Sequence, residues 1–193
     1  MKILRALSLV MLLAPVLAAC ETQVPARRFP EISFAHQPPI NLDVASIEVD
    51  KQPPAAPASG TVLYDLPVPL ATVAETWANQ RLKAVGQQGS ATLRIEKATV
   101  VEEKLKRTEG FRGAFTTDQT ERYAGELALT LTVVTDRGQG VARGSAQRAR
   151  TVPEDATLAE REKLWFEMVE QLGREVDSVM EQQIRAHLSN FLR

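Results

Sequence analysis

The sequence predicts an α+β fold in the order β-α-β-β-β-α, an antiparallel sheet of about four strands with two helices on one face. Three observations carry that prediction. Residues 122–135 alternate with a period of two, placing Tyr123, Leu127, Leu129, Leu131 and Val133 on one face and Thr130 and Thr132 on the other. The segment DRGQG at 136–140 is a glycine-containing hairpin turn that leads into a partner strand. Two segments, 70–85 and 157–192, repeat apolar residues every three to four positions, the spacing of one helix face. Hairpin-linked strands with two helices most simply make one sheet covered on one side.

The chain of 193 residues begins MKILRALSLVMLLAPVLAAC. Lys2 and Arg5 precede a largely apolar run from Ala6 to Leu17, and Ala18 and Ala19 are small. A positive start, a short apolar stretch and a small-residue exit describe a secretory signal peptide over residues 1–19. The run is shorter than the roughly 20 apolar residues of a permanent span. Pro15 weakens any helix there by about 3 kcal/mol relative to alanine.

The chain's one cysteine, Cys20, follows directly. Leu17-Ala18-Ala19-Cys20 resembles the lipobox of bacterial lipoproteins. That resemblance implies a diacylglycerol on the Cys20 thiol, cleavage before Cys20 and an N-acyl lipid on the new terminus. It implies a chain facing the periplasm and anchored to the cell envelope. Glu21, a residue other than aspartate after the cysteine, points to the outer membrane rather than the inner. One acyl chain holds a protein only marginally, whereas two or more anchor it stably at about 0.8 kcal/mol per buried methylene. A thiol consumed in this way leaves nothing for a disulfide in the oxidising compartment.

Residues 20–39 are expected to form a lipidated tether, because 21–39 hold four prolines and neither period. Nineteen residues reach at most about 60 Å when extended and about 25 Å as a coil. Residues 40–193 are expected to form a single domain. The signal holds two of the 23 Lys+Arg and none of the 24 Asp+Glu, so 21 basic side chains face 24 acidic ones afterwards. Such a balance disfavours a nucleic-acid partner, which needs a basic excess or a basic face.

The domain's elements follow in order. Ile40, Leu42 and Val44 alternate, then the phase shifts to Ile47 and Val49, which predicts a strand bulged near Ala45-Ser46. Residues 51–60, KQPPAAPASG, are a loop. Leu70, Val73, Ala74, Trp77, Ala78, Leu82 and Val85 predict a helix with Pro69 at its start and Gly86 at its stop. Residues 91–105 form a strand with Leu93 and Ile95 on one face and a phase change before Val100. Residues 141–151 return after the hairpin, and Ala142, Gly144 and Ala146 would let a helix approach closely. An edge strand carrying little core is equally compatible with them.

Thr157 and Glu160 match a capping box at the start of the last helix. From Trp165 through Met168, Leu172, Val176, Met180 and Ile184 to Phe191 the apolar rhythm continues, with Glu170/Arg174 and Glu181/Arg185 as flanking pairs. Such a helix spans about 50 Å, more than four strands spaced about 4.8 Å apart. Laid across the sheet, part of its apolar stripe would overhang and be free for a partner.

No residue announces catalysis. His36 and His187 lack neighbours at metal-ligand spacing, and there is no nucleophile turn or phosphate loop. Glu102 and Glu103 are adjacent on a strand and point to opposite faces. The chain is therefore expected not to be an enzyme and to hold no metal and no cofactor beyond the lipid on Cys20.

One loop is richer. Residues 104–120 place Lys104, Lys106, Arg107 and Arg112 around Phe111 and Phe115. These phenylalanines either fold back over a sheet end or, with Arg112, form a contact surface for a membrane partner. Arg143, Arg148 and Arg150 are a second candidate surface, or charges that discourage edge pairing.

A lipobox, a proline-rich tether, and β-α-β-β-β-α with a long final helix resemble the small envelope lipoproteins of Gram-negative bacteria. The order of loop, hydrophobic strand, turn, strand and acidic-capped helix in FTTDQTERYAGELALTLTVVTDRG…RTVPEDATLAEREKLWFEMVEQL is similar to that of two groups. These are the LPS-assembly lipoprotein, which plugs an outer-membrane barrel, and the auxiliary lipoproteins of ABC-type lipid transporters. This chain lacks the second cysteine of the disulfide present in some LPS-assembly lipoproteins. The resemblance implies an accessory, non-catalytic subunit of an envelope transport or assembly complex, bound to an integral envelope protein or transporter. The alternative is a periplasmic carrier with a lipid or other hydrophobic ligand between helices and sheet.

Overall fold

The computed structural model describes residues 29–51, 59–62, 64–105 and 119–193. Strands β1 (Ile40–Leu42), β2 (Ser46–Lys51) and β3 (Thr61–Val62) precede helix α1 (Leu70–Arg81). Strands β4 (Leu82–Ala84), β5 (Ser90–Lys104), β6 (Gln119–Thr135) and β7 (Gly138–Pro153) follow, then helix α2 (Leu158–His187) and a 3-10 turn, Ser189–Phe191. The main sheet runs β2-β5-β6-β7, with β3 also on β5, and β1 pairs with β4 apart from it.

The fold is α+β with both helices on one face, as expected. The antiparallel core is β5-β6-β7, in which Leu93, Leu131 and Ala142 share one register line and Ile95, Leu129 and Gly144 the next. These residues are buried under the helices. The phase change before Val100 is a bulge between Ile95 and Lys97. The extra residue, Glu96, turns to solvent, and Ala98 and Val100 return to the core side.

The N-terminal strand differs from expectation. Its phase shift marks a change of sheet, since β1 joins β4 and β2 joins β5. Both pairings are parallel, because α1 lies between the partners as a crossover and returns the chain in the same direction. Helix α1 stops at Arg81 and not near Val85, as Leu82 is already extended and enters β4. Pro69 caps α1 from outside in an extended conformation.

The expected tether loses its second half to the core. Ile32 and Phe34 are 9% and 2% exposed, and Phe29 stacks on Phe166 of α2 with ring centroids 5.0 Å apart. Gln80 of α1 holds this segment through the Ser33 hydroxyl, which donates at 3.1 Å, and through the Phe34 backbone N–H.

Helix α2 begins at its capping box. The Glu160 N–H donates to the Thr157 hydroxyl at 3.3 Å, and the Thr157 N–H donates to the Glu160 carboxylate at 2.8 Å. The Thr157 N–H, together with the Thr157 hydroxyl donating to the same carboxylate at 2.8 Å, holds the Glu160 carboxyl below its ordinary range. The helix lies along β7 and not across the sheet. A Cβ at Gly125 would stand 2.7 Å from Leu172, one at Gly144 would stand 2.8 Å from Met180, and one at Gly140 would overlap Leu188. Thirty helical residues cover about 45 Å, and the sixteen residues of β7 cover about 53 Å. The expected overhang is therefore absent: Met168, Leu172, Val176, Met180 and Ile184 are all buried.

Candidate functional site

Of the residues singled out from sequence, Cys20, Phe111, Arg112 and Phe115 lie outside the described residues. Arg143, Arg148 and Arg150 lie within them, and they do not form one surface. Strand parity sends Arg148 and Arg150 to the helix side, in line with Ala142, Gly144 and Ala146. There Arg148 pairs with Glu175 of α2, and Arg150 donates to the Gln171 side chain at 3.2 Å. Arg143 points the other way, to the open face. The odd and even numbering already carried this distinction.

Glu103 pairs with Arg122 at 2.7 Å on that open face, one strand apart. His36 and His187 are exposed. Among the described residues no cluster of three His, Cys, Asp or Glu could hold a metal ion. Among them, too, no helix is long and apolar enough to cross a membrane.

Two polar networks sit where the helices meet the rest of the fold. Arg81, fully buried, donates from Nε to Asp177 at 2.7 Å and also contacts Glu181 and the Pro38 carbonyl. Trp77 donates to the same Asp177 oxygen at 2.8 Å. Hydrogen bonding from Arg185, with the charge of Arg81, holds the Glu181 carboxyl below its usual range despite partial burial. At the far end Tyr123 donates to Glu121 at 2.6 Å, and Arg161 of α2 bonds both. Burial first, then the hydrogen bond to Glu121, pushes the Tyr123 phenol far up, so it stays protonated at any physiological pH. Trp165 meets the Tyr123 ring edge-on at 5.3 Å. In both networks the charged groups and the Tyr123 hydroxyl are paired, whereas the Trp165 Nε1–H is buried without a hydrogen-bond partner among the described residues. The first fastens α1, α2 and the N-terminal segment together, the second fastens α2 to β6, and neither offers an activated nucleophile.

Sequence reasoning missed these networks because their partners stand far apart, 100 residues for Trp77 and Asp177. The one available signal was Asp177 on the apolar stripe of α2, next to Val176.

Two features lie open at the surface. β7 pairs with β6 on one side and, among the described residues, with no strand on the other, so sixteen residues of sheet edge are available. Where β7 leads into α2, a cavity of about 290 Å³ is lined by Val152, Pro153, Ala156 and Leu164 together with Asp155 and Glu160. Leu158, in the first turn of α2, is 66% exposed.

No protein-family model matches the chain, and no curated protein matches its sequence. Among solved structures it is similar to rare lipoprotein B from Shewanella oneidensis, with 12% identity and a TM-score of 0.37 over 73% of this chain and 95% of that one. It is also similar to a minor lipoprotein from Acinetobacter baumannii, with 16% identity and a TM-score of 0.36 over 78% of this chain and 96% of that one.

Proposed function

We propose that the protein is a periplasm-facing lipoprotein, anchored to the cell envelope through acyl chains on Cys20. It acts as a non-catalytic accessory subunit of an envelope transport or assembly complex. The observation that carries the anchor is the sole cysteine placed directly after Leu17-Ala18-Ala19 at the end of a signal-like segment. Docking to an integral envelope protein is assigned to the free edge of β7, where backbone N–H and C=O groups can pair with an added strand.

A carrier with its cargo between helices and sheet has less support. Leu172, Met180 and Leu188 already fill the places beside Gly125, Gly144 and Gly140.

Labelling cells with palmitate tests the anchor, and wild-type protein is expected to take the label while Cys20→Ser does not. Equal membrane retention of the Cys20→Ser variant would overturn it. Photocrosslinkers at exposed β7 positions such as Ser145 and Gln147, activated in intact envelopes, are expected to capture one integral protein. Co-purified lipid in native mass spectrometry, with no crosslink, would favour the carrier.

A further inference from the structure

We propose that the end of the domain where β7 passes into α2, which carries the exposed Leu158, rests on the lipid bilayer, while the 136–137 hairpin and the C-terminus point away. This orientation rests on the acylated Cys20 of the previous section and adds a direction to it.

The direction is set by the path of the segment from Phe29 to Phe34. Phe34 packs beside Gly173, and Phe29 stacks on Phe166, so the segment runs alongside α2 toward that helix's N-terminus. Only residues 21–28 separate Cys20 from Phe29. Nine residue steps reach at most about 30 Å and average about 16 Å as a coil. From Phe166 to Leu158 is eight helical residues, about 12 Å, whereas from Phe166 to His187 is twenty-one, about 32 Å. A leash of that length lets the Leu158 end touch the membrane with slack to spare. The opposite end would touch only at full extension.

The chemistry of the near end agrees. Leu158 is 66% exposed, against 48% for Val134 and 41% for Val85 at the far end. Behind it stand the apolar walls of the cavity, Val152, Pro153, Ala156 and Leu164. Asp155 and Glu160 beside them and Lys104, Arg122, Arg150 and Arg161 at the same end leave no single-sign patch, so a zwitterionic surface suffices as the partner.

The lone cysteine becomes an experimental advantage, because an acylated Cys20 leaves any introduced cysteine as the only free thiol. Acylated Leu158→Cys and Asp136→Cys proteins, purified from envelopes, would each be labelled with a fluorophore and reconstituted on phosphatidylcholine vesicles. Quenching is then read from headgroup-labelled lipid. Several-fold stronger quenching at position 158 than at 136 is expected, and Phe29→Ala should reduce the difference by lengthening the leash. Flotation with the vesicles but equal quenching, or stronger quenching at 136, overturns the orientation alone. Failure of both proteins to float overturns the anchor as well, and the orientation falls with it.

Discussion

The two faces of the main sheet are built from the same strands, one residue out of phase, and they are held by different forces. On the covered face Leu93, Leu131 and Ala142 line up beneath the helices and are fully buried. On the open face the same strands present Arg94 with Asp50 at 2.9 Å, Lys97 with Glu126 at 3.0 Å, and Thr130, Thr132 and Ser145 between them. Burial of apolar area stabilises the first face at roughly 25 cal/mol per Å², whereas each solvated ion pair on the second contributes about 0–1 kcal/mol. Side-chain volume is therefore tightly constrained on one side and nearly free on the other. A partner can use the open face or the edge without disturbing the core.

The largest effect is expected where the covered side holds charge. Arg81→Met keeps most of the side-chain volume but strands Asp177, whose remaining partner is the Trp77 N–H. A loss of about 3–5 kcal/mol is expected from urea unfolding. Arg81→Met combined with Asp177→Leu should recover most of it, since an apolar pair of similar volume is often neutral. If the double variant were no more stable than the single, the cluster would be contributing through packing and not through charge.

Next comes a direct contrast of the faces one residue apart. Gly144→Val drives its Cβ toward Met180 and Val179 on α2 and should destabilise by about 1–3 kcal/mol. Ser145→Val, exposed on the other side, should stay within about 0.5 kcal/mol of wild type. Equal losses at the two positions would mean that α2 does not lie on β7. A smaller loss, about 1 kcal/mol, is expected for Thr157→Ala, which removes the side-chain half of the cap. Hydrogen exchange should rise in the first turn of α2 and not beyond Met168.

Much of the covered face could be read in advance because local rules produce it. The alternation at 123–133, the glycines and alanines of β7 and the Thr157–Glu160 box each act within a few residues, and each became the element it suggested. The bulge at Glu96 was visible as a change of phase, though not as a bulge. What could not be read depends on distant partners. Ile32 and Phe34 have no periodicity, and Phe34 finds its place only where Gly173 presents no side chain beside it and Val73. Arg81 carries no local signal of burial, and only the approach of α2 brings Asp177 to it. The parallel pairing of β2 with β5 needed the crossover, which the pattern of either strand alone does not contain. For function the division is sharper. A processing motif is read along the chain, so Cys20 stands out, whereas a docking edge is defined by a sheet's last strand and exists only after folding.

The finest distinction concerns acid. The folded chain holds the Glu181 carboxyl below its ordinary range through Arg185 and the buried Arg81. In the unfolded chain that carboxyl binds protons near the usual value of about 4.3. As pH falls through that value the unfolded state takes up its proton first, so stability drops. The contribution is complete at neutral pH and disappears once the pH is below the depressed folded value. Glu181→Gln removes this dependence without removing the side-chain bulk. The difference in unfolding midpoint between wild type and Glu181→Gln should therefore be largest at neutral pH and shrink as acid is added. Other carboxylates, the Glu160 cap included, titrate in both proteins and cancel in the difference. A difference that stayed constant from neutral to acidic pH would mean that Glu181 acts through shape alone, and the charge link between α1 and α2 would rest on Asp177.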